Sequence, residues 1–275
     1  GAEAAAIIER SGSRVLFVVD RFLDIDYPAM LASCRPATLE KVVAIGEAGA
    51  HADTDWARFL AEGEGVSEGQ ARVRAQAVQP DDMSDLMFTS GTTGRPKGVV
   101  SAHGPIIQAF TEYVKIAGIE AGDRYLIVNP FFHTFGYKAG WVTCLIAGAT
   151  VLPHPVFDAE AVFRRIEADR ISVLPGPPTL YLSMLAHPKL AQTDLSSLRV
   201  AVTGASTIPP VLIERMRAEL GFKVVLTAYG LTECGGLATI CAAADDAETV
   251  ALTSGHAIPG TEVRIVDADN QPLPT

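Results

Sequence analysis

A chain of 275 residues with 48% apolar and 20% charged residues has ample material for a large core, which excludes wholesale disorder. Its 22 basic against 32 acidic residues give a net charge of −10 without any Lys/Arg run. That argues against a nucleic-acid partner, because phosphate backbones need clustered cations. An anionic small ligand held by one locally basic loop stays compatible with this balance. The four cysteines (Cys34, Cys144, Cys234, Cys241) are scattered without metal-ligand spacing, and Cys144 and Cys241 sit in apolar surroundings as core thiols. No run reaches the roughly 18–20 apolar residues of a spanning helix, and no signal peptide is visible. A cytoplasmic protein without a transmembrane segment is expected, and homo-oligomer formation stays open. The chain begins inside a helical pattern, "GAEAAAIIERSG", and stops just past a strand-like run, "EVRIVDADNQPLPT". It is therefore expected to be a piece of a longer protein.

In chain order, short apolar runs alternate with amphipathic segments. "RVLFVVD" (14–20) reads as a buried strand by its continuous apolar character, and "EKVVAIG" (40–46) as another. "HADTDWARFLAEG" supplies a short helix. The acidic, weakly periodic stretch 62–85 reads as a surface crossing segment. From His103 the pattern turns helical, with Ile106, Phe110, Tyr113, Val114 and Ala117 on one face. "RYLIVN" (124–129) is a strand, an apolar helix follows through "GWVTCLIAG", and "ATVLP" is the next strand. Asp158 caps a helix in which Val162 and Ile166 lie a turn apart. "ISVLPG" is a strand, and Pro177-Pro178 open a helix from its first turn. "LRVAVTG" and "KVVLTAYG" are strands around a helix carrying Ile208, Leu212, Met216 and Leu220 behind Pro209-Pro210.

The repeated strand–helix–strand order predicts an α/β fold, with mainly parallel sheets covered by helices on both faces. Ligands in such folds collect at the carboxyl ends of strands. "TSGTTG", "VNPFFH", "LPGPP", "VTGAS" and "TAYGLTE" all fall at such ends. Residues 1–254 are expected to form one α/β domain, and 255–275, with the run "EVRIV", to start a following β sub-domain.

The stretch "FTSGTTGRPKGV" (88–99) concentrates hydroxyls, glycines and two cations between two β-like runs. It is not a Walker loop. Pro96 stands where the glycine before the lysine belongs, Gly98 replaces the metal-binding Ser or Thr, and no helix follows directly. A strand-to-strand loop of this composition can still turn its amides onto phosphate and add the charge of Lys97. A glycine-rich hairpin whose hydroxyls satisfy the backbone fits the composition equally.

"FTSGTTGRPKGV" resembles the phosphate-loop signature of the adenylate-forming (AMP-binding) superfamily of acyl- and aryl-CoA synthetases, peptide-synthetase adenylation domains and luciferases. "NPFFHTFG" (129–136), "VTGAS" (202–206), "YGLTECGG" (229–236) and "GHAIPGTEVRIVD" (255–267) resemble further motifs of that family, in its order. The resemblance spans essentially the whole chain. It implies the core of the large N-terminal domain, lacking the C-terminal domain with its catalytic lysine and lacking the ribose-binding Asp. It also implies ATP, Mg²⁺ and coenzyme A as cofactor and substrates, together with a small carboxylic acid.

Carried onto this sequence, the resemblance assigns Thr89, Ser90, Gly91, Thr92, Thr93, Gly94 and Lys97 to the ATP phosphates. It assigns Gly204, Ala205, Ser206, Tyr229 and Gly230 to adenine. Thr232 would meet the α-phosphate and Glu233 the Mg²⁺, with Thr232, Glu233 and Lys97 as the catalytic set. His133, Phe132, Gly235 and Gly236 would border the acyl group, with Phe135 and Trp141 as further wall candidates. The residues alone leave alternatives: a helix N-cap for Thr232 and Glu233, and ordinary packing for Tyr229, His133 and the aromatic residues. Amino-acid-activating members of the family place an Asp in this stretch; the corresponding run here, His133-Thr134-Phe135, has no carboxylate, so the resemblance implies a simple carboxylic acid rather than an amino acid. Lys138 is either on a solvated helix face or facing a polar group of the acid. The implied activity is an ATP-dependent acid–CoA ligase for a fatty, aromatic or related acid, with the isolated segment inactive. The alternatives are an adenylation domain that loads a carrier protein, or a nucleotide-binding homologue without turnover.

Overall fold

Four parallel strands carry the larger part of the fold, in a computed structural model that describes residues 1–89 and 96–273. Thr150–Pro153 pairs with Arg124–Ile127, Tyr125 bridges to Val173, and Val173 bridges to Val200. Val200–Thr203 then pairs with Val224–Tyr229, with Val200 opposite Val224 and Thr203 opposite Thr227. Two short antiparallel strands, Thr239–Ile240 and His256–Ala257, extend the far edge. All four residues of Val200–Thr203 are buried, so both faces of this strand are covered, as its unbroken apolar run requires. The expected α/β architecture with mainly parallel strands is what forms. The run "ISVLPG" contributes only the bridge at Val173 rather than a full strand.

The helices follow their sequence signals. His103–Ala117 buries Ile106, Phe110, Tyr113 and Ala117, with Val114 half-buried, and ends at Gly118 in the left-handed region. Asp158 accepts a hydrogen bond from the Ala161 N–H at 2.7 Å and caps Ala159–Asp169, whose Val162 and Ile166 are buried. Pro178 occupies the first turn of Pro178–Leu185. Ile208, Leu212, Met216 and Leu220 are all buried around Pro210–Ala218. Cys144 and Cys241 are core thiols, and burial pushes the Cys144 thiol up to about 12.

Two compact units divide the chain, Gly1–Asp82 with Phe88–Gly98, and Met83–Met87 with Val99–Thr275. The smaller has its own parallel sheet, Val15–Val19, Lys41–Ile45 and Thr54–Asp55, over a core of Ala5, Ile8, Leu31, Leu39 and Val42. Strand Met83–Thr89 pairs with Lys97–Ala102, so the glycine-rich loop joins two strands, as its flanks predict.

Four further readings are corrected or refined. Strand Val15–Val19 is not buried on both faces: Val15, Phe17 and Val19 are exposed, and Phe17 packs edge-on against Trp56 and Phe59. The stretch 62–85 contains a helix, Glu68–Ala77, started by a capping box between Ser67 and Gln70 and buried nowhere. The apolar helix around "GWVTCLIAG" is interrupted by a π-helical turn, Tyr137–Val142, between Thr134–Gly136 and Thr143–Ala147. The run "EVRIV" forms no strand; Val266 makes only an isolated bridge to Pro272. Among the described residues, no helix is long and apolar enough to cross a membrane.

Candidate functional site

A cavity of about 670 Å³ opens at the carboxyl ends of strands Val200–Thr203 and Val224–Tyr229. This is where a parallel sheet leaves room, because each chain turns away there into its next loop. Gly204, Ala205 and Ser206 line it from the first strand, and Tyr229 and Gly230 from the second. His133, Phe135 and Gly236 complete the expected residues brought to this one space.

The local backbone explains how they get there. Ala205 is held at φ 63, a left-handed conformation that costs a residue with a Cβ about 1 kcal/mol, and it keeps the loop after Thr203 tight. Gly230 and Gly236 touch: a Cβ on Gly230 would lie 2.3 Å from the Gly236 carbonyl oxygen, which no side chain permits. Hydrogen bonds from Gly236 N–H to the Leu231 carbonyl and from Ala238 N–H to the Tyr229 carbonyl, both 2.9 Å, close this turn. His133 is exposed, and its Nδ1 accepts from the Phe135 N–H at 3.1 Å. The neutral ring then carries its proton on Nε2, which is left as a donor.

Thr232 and Glu233 occupy a 3₁₀ turn, Thr232–Cys234, between the cavity-lining residues Leu231 and Gly236. Neither lines the cavity itself; Thr232 is half-buried and Glu233 exposed, and Glu233 makes no ion pair among the described residues. The described residues contain no group of three or more His, Cys, Asp and Glu side chains placed to hold a metal. One free carboxylate is the donor set suited to a Mg²⁺ that arrives with nucleotide phosphates, since that ion takes one or two protein carboxylates and keeps its other ligands.

Gly235 does not line the cavity, and Phe132 projects from the surface at 84% exposure, so neither is a wall here. Phe135 does line it, whereas Trp141 packs at a tilt against Tyr137 instead, with ring centroids 4.9 Å apart. Thr89 ends its strand half-buried and Lys97 begins the next one exposed. Ser90, Gly91, Thr92, Thr93 and Gly94 lie outside the described residues. Lys138 is neither on a solvated face nor a wall of the cavity. It is wholly buried, 2.9 Å from Ser101 Oγ and 3.2 Å from Asp85 Oδ1, since an ammonium in a core needs a carboxylate beside it.

Several residues enter the site without having been singled out. Phe110 and Tyr113 reach it from helix His103–Ala117, Thr203 and Thr227 from the strand ends, and Thr253 and Ser254 from beyond helix Ala247–Leu252. Burial pushes the Tyr113 hydroxyl upward, so it stays neutral, 3.4 Å from the Tyr125 hydroxyl. Separately, within the smaller compact unit, Arg10 donates to the Pro96 carbonyl and lies 5.2 Å from the Phe88 ring. Nothing local in the sequence marks these residues, because their partners are remote along the chain.

The family model of the AMP-binding enzymes matches residues 1–275. The chain belongs to the AMP-binding enzyme family. Among its relatives, this AMP-binding family member is 50% identical over 266 residues to a 3-[(3aS,4S,7aS)-7a-methyl-1,5-dioxo-octahydro-1H-inden-4-yl]propanoyl:CoA ligase of Mycobacterium tuberculosis, a match covering 96% of this chain and 52% of that protein. It is 48% identical over 270 residues to a ligase of the same name from Rhodococcus jostii, with the same coverage of both chains. The chain thus spans about half the length of these curated relatives. The solved anthranilate CoA ligase AuaEII, in complex with anthranoyl-AMP, superposes with a TM-score of 0.79 at 25% identity, over 99% of this chain and 51% of that one. The N-terminal domain of FACL13 from Mycobacterium tuberculosis gives 0.73 at 24% identity, over 99% and 64%, a likeness of fold.

Proposed function

We propose that this chain carries nucleotide- and acid-binding residues of an AMP-forming acid–CoA ligase. The observation that supports this most is the cavity at the ends of two parallel strands, with Gly204–Ser206, Tyr229 and His133 on its lining and the Thr232–Glu233 turn between two of its lining residues. In the proposed reaction a carboxylate oxygen attacks the α-phosphorus of ATP, and the bond to pyrophosphate breaks. The CoA thiol then attacks the acyl carbon, loses its proton, and AMP leaves with the bonding pair.

The residues would divide the work as follows. Tyr229 offers a ring face to adenine, against the small residues Gly204, Ala205 and Ser206, with Gly230 leaving room for the ring's approach. Thr232 donates its hydroxyl to the α-phosphate. Glu233 holds Mg²⁺, which supplies charge neutralisation on the phosphates when bound. Lys97 and the hydroxyl-rich loop from Thr89 to Gly94 would hold the departing pyrophosphate. His133 Nε2–H is available to the carboxylate end of the acid, near Gly236. Orientation and charge stabilisation, rather than covalent chemistry, would be the protein's contribution.

The two relatives near 50% identity are named for a propanoate on a methylated two-ring diketone. An acid of that class is the proposed substrate, and Phe110, Phe135, Val202, Ile208 and Leu237 give the cavity apolar walls to suit it. A carrier-protein-loading adenylation domain is the second reading, and the CoA-ligase relatives weigh against it. The test is hydroxylamine trapping of acyl-adenylates by the full-length protein across fatty, aromatic, dicarboxylic and ring-ketone propanoic acids. Hydroxamate formation with the ring acids is expected. No hydroxamate and no ATP–pyrophosphate exchange with any acid would overturn the proposal.

A further inference from the structure

Lys138 and Asp85 are charged groups inside the core that the proposed reaction does not use. The Lys138 ammonium is wholly buried and meets Asp85 Oδ1 at 3.2 Å and Ser101 Oγ at 2.9 Å. Both Asp85 carboxylate oxygens are shut off from solvent, and neither accepts a hydrogen bond among the described residues. A buried pair so thinly supported repays little of its desolvation, and apolar residues of similar volume would serve stability as well. Its use lies in what it holds in place.

Lys138 belongs to the π-helical turn Tyr137–Val142, a rare conformation that occurs mostly as single turns, frequently at functional sites. Two hydroxyls outside the turn support its carbonyls. Tyr125 donates to the Ala139 carbonyl, and Thr143 donates through its hydroxyl, at 2.9 Å, and its N–H to the Lys138 carbonyl. Of the six residues in the turn, Ala139 alone lines the cavity, where Phe135 of the preceding helix also lies. Tyr137, Lys138 and Val142 carry larger side chains, and none of them is on the lining. A turn that relaxed toward α-helical winding would rotate these residues about the axis and bring a larger side chain to the wall. We infer that the Lys138–Asp85 pair fixes the π-helical turn so that small Ala139 faces the cavity and leaves room for a ring acid. Lys138 and Asp85 are positioning residues that touch no substrate themselves. This rests on the acid–CoA ligase reading, and names residues that set which acids fit.

The test uses the full-length protein and two acids, a two-ring ketone propanoate and a straight-chain fatty acid of equal carbon number. Lys138→Met/Asp85→Leu removes both charges together and keeps apolar volume, so it is expected to fold. Its KM for the ring acid should rise about tenfold, with kcat and the KM values for ATP and the straight-chain acid within about twofold of wild type. Ala139→Val narrows the same wall with the ion pair intact, and should show the same selective rise. The triple variant should fall short of the product of the two effects, because both act on one wall. Tyr125→Phe withdraws one support of the turn without touching a charge, and should raise the ring-acid KM by a smaller factor. It carries the test should the double variant not fold. An unchanged ring-acid KM in the folded double variant, or in Tyr125→Phe where the double variant does not fold, would overturn this inference alone. So would an Ala139→Val enzyme indifferent to the ring acid, or parallel losses for both acids and ATP, which a general loosening of the core would give. No thioester from either acid by wild type would overturn the ligase reading together with it.

Discussion

Gly236 illustrates how much of the site rests on single backbone positions. Its φ of +105 is a conformation that side chains disfavour, and a Cβ there would sit 2.8 Å from the Thr134 Cβ. Thr134 is buried and begins the short helix after His133, so it has no room to yield. Gly236→Ala should therefore destabilise the fold by about 2 kcal/mol or more, and shift the denaturant midpoint with little change in slope. Because Gly236 and Thr134 both line the cavity, KM for the acid should rise more than KM for ATP. A variant as stable as wild type would show that the 231–236 turn relaxes freely. Ala205 makes the converse case: it already has a Cβ at positive φ, so Ala205→Gly relieves strain there while loosening the loop.

The π-helical turn Tyr137–Val142 is held by a charge buried inside the protein. Lys138 is fully enclosed, hydrogen-bonded to Ser101 of strand Lys97–Ala102 and paired with Asp85 of strand Met83–Thr89. Its neighbour Ala139 lines the cavity, so the ion pair ties two strands to one wall of the site. Removing one partner strands the other charge in the core, and Lys138→Met is expected to cost about 3–5 kcal/mol. The double variant Lys138→Met/Asp85→Leu should recover most of that loss, because a buried pair replaced by apolar residues leaves no charge unpaired. Urea unfolding of the two single variants and the double variant measures this, and additive losses would refute the pairing. Sequence reading found the helix here from its apolar run but not its π turn or the burial of Lys138. Asp85 lies 53 positions earlier in the chain, and no local signal joins the two. Helix Glu68–Ala77 was missed for the opposite reason, since it buries nothing and its capping box is its only mark. The helices legible in advance, such as His103–Ala117 and Pro210–Ala218, are those whose apolar spacing faces a core.

Across the whole molecule, the parallel pairing and the loops after Val200–Thr203 and Val224–Tyr229 were legible because parallel strands need long apolar runs and put their loops at carboxyl ends. The place of Thr203 and Thr227 on the cavity lining was not: both sit in runs that read simply as strand, and their juxtaposition depends on register. Acid stability is another property of the whole chain. Arg35 holds the Asp53 carboxyl below its usual range by hydrogen bonding, Arg14 does the same for Glu40, and Lys189 for Glu160. His154 is also held low, first by burial and then by Arg165, and its Nε2 is buried without a partner. For every one of these groups the unfolded chain binds protons more readily than the folded one. The stability they give is present above the unfolded pKa and is lost as pH falls through the folded one. The imidazole acts first, as pH drops below its ordinary value of 6.5, and the carboxylates follow below about pH 4. Denaturant midpoints measured from pH 8 down to pH 3 should therefore fall in two stages. His154→Gln should flatten the upper stage and leave the lower one in place, because glutamine does not titrate and the carboxylates are untouched. An upper stage that persists in His154→Gln would assign it to another group.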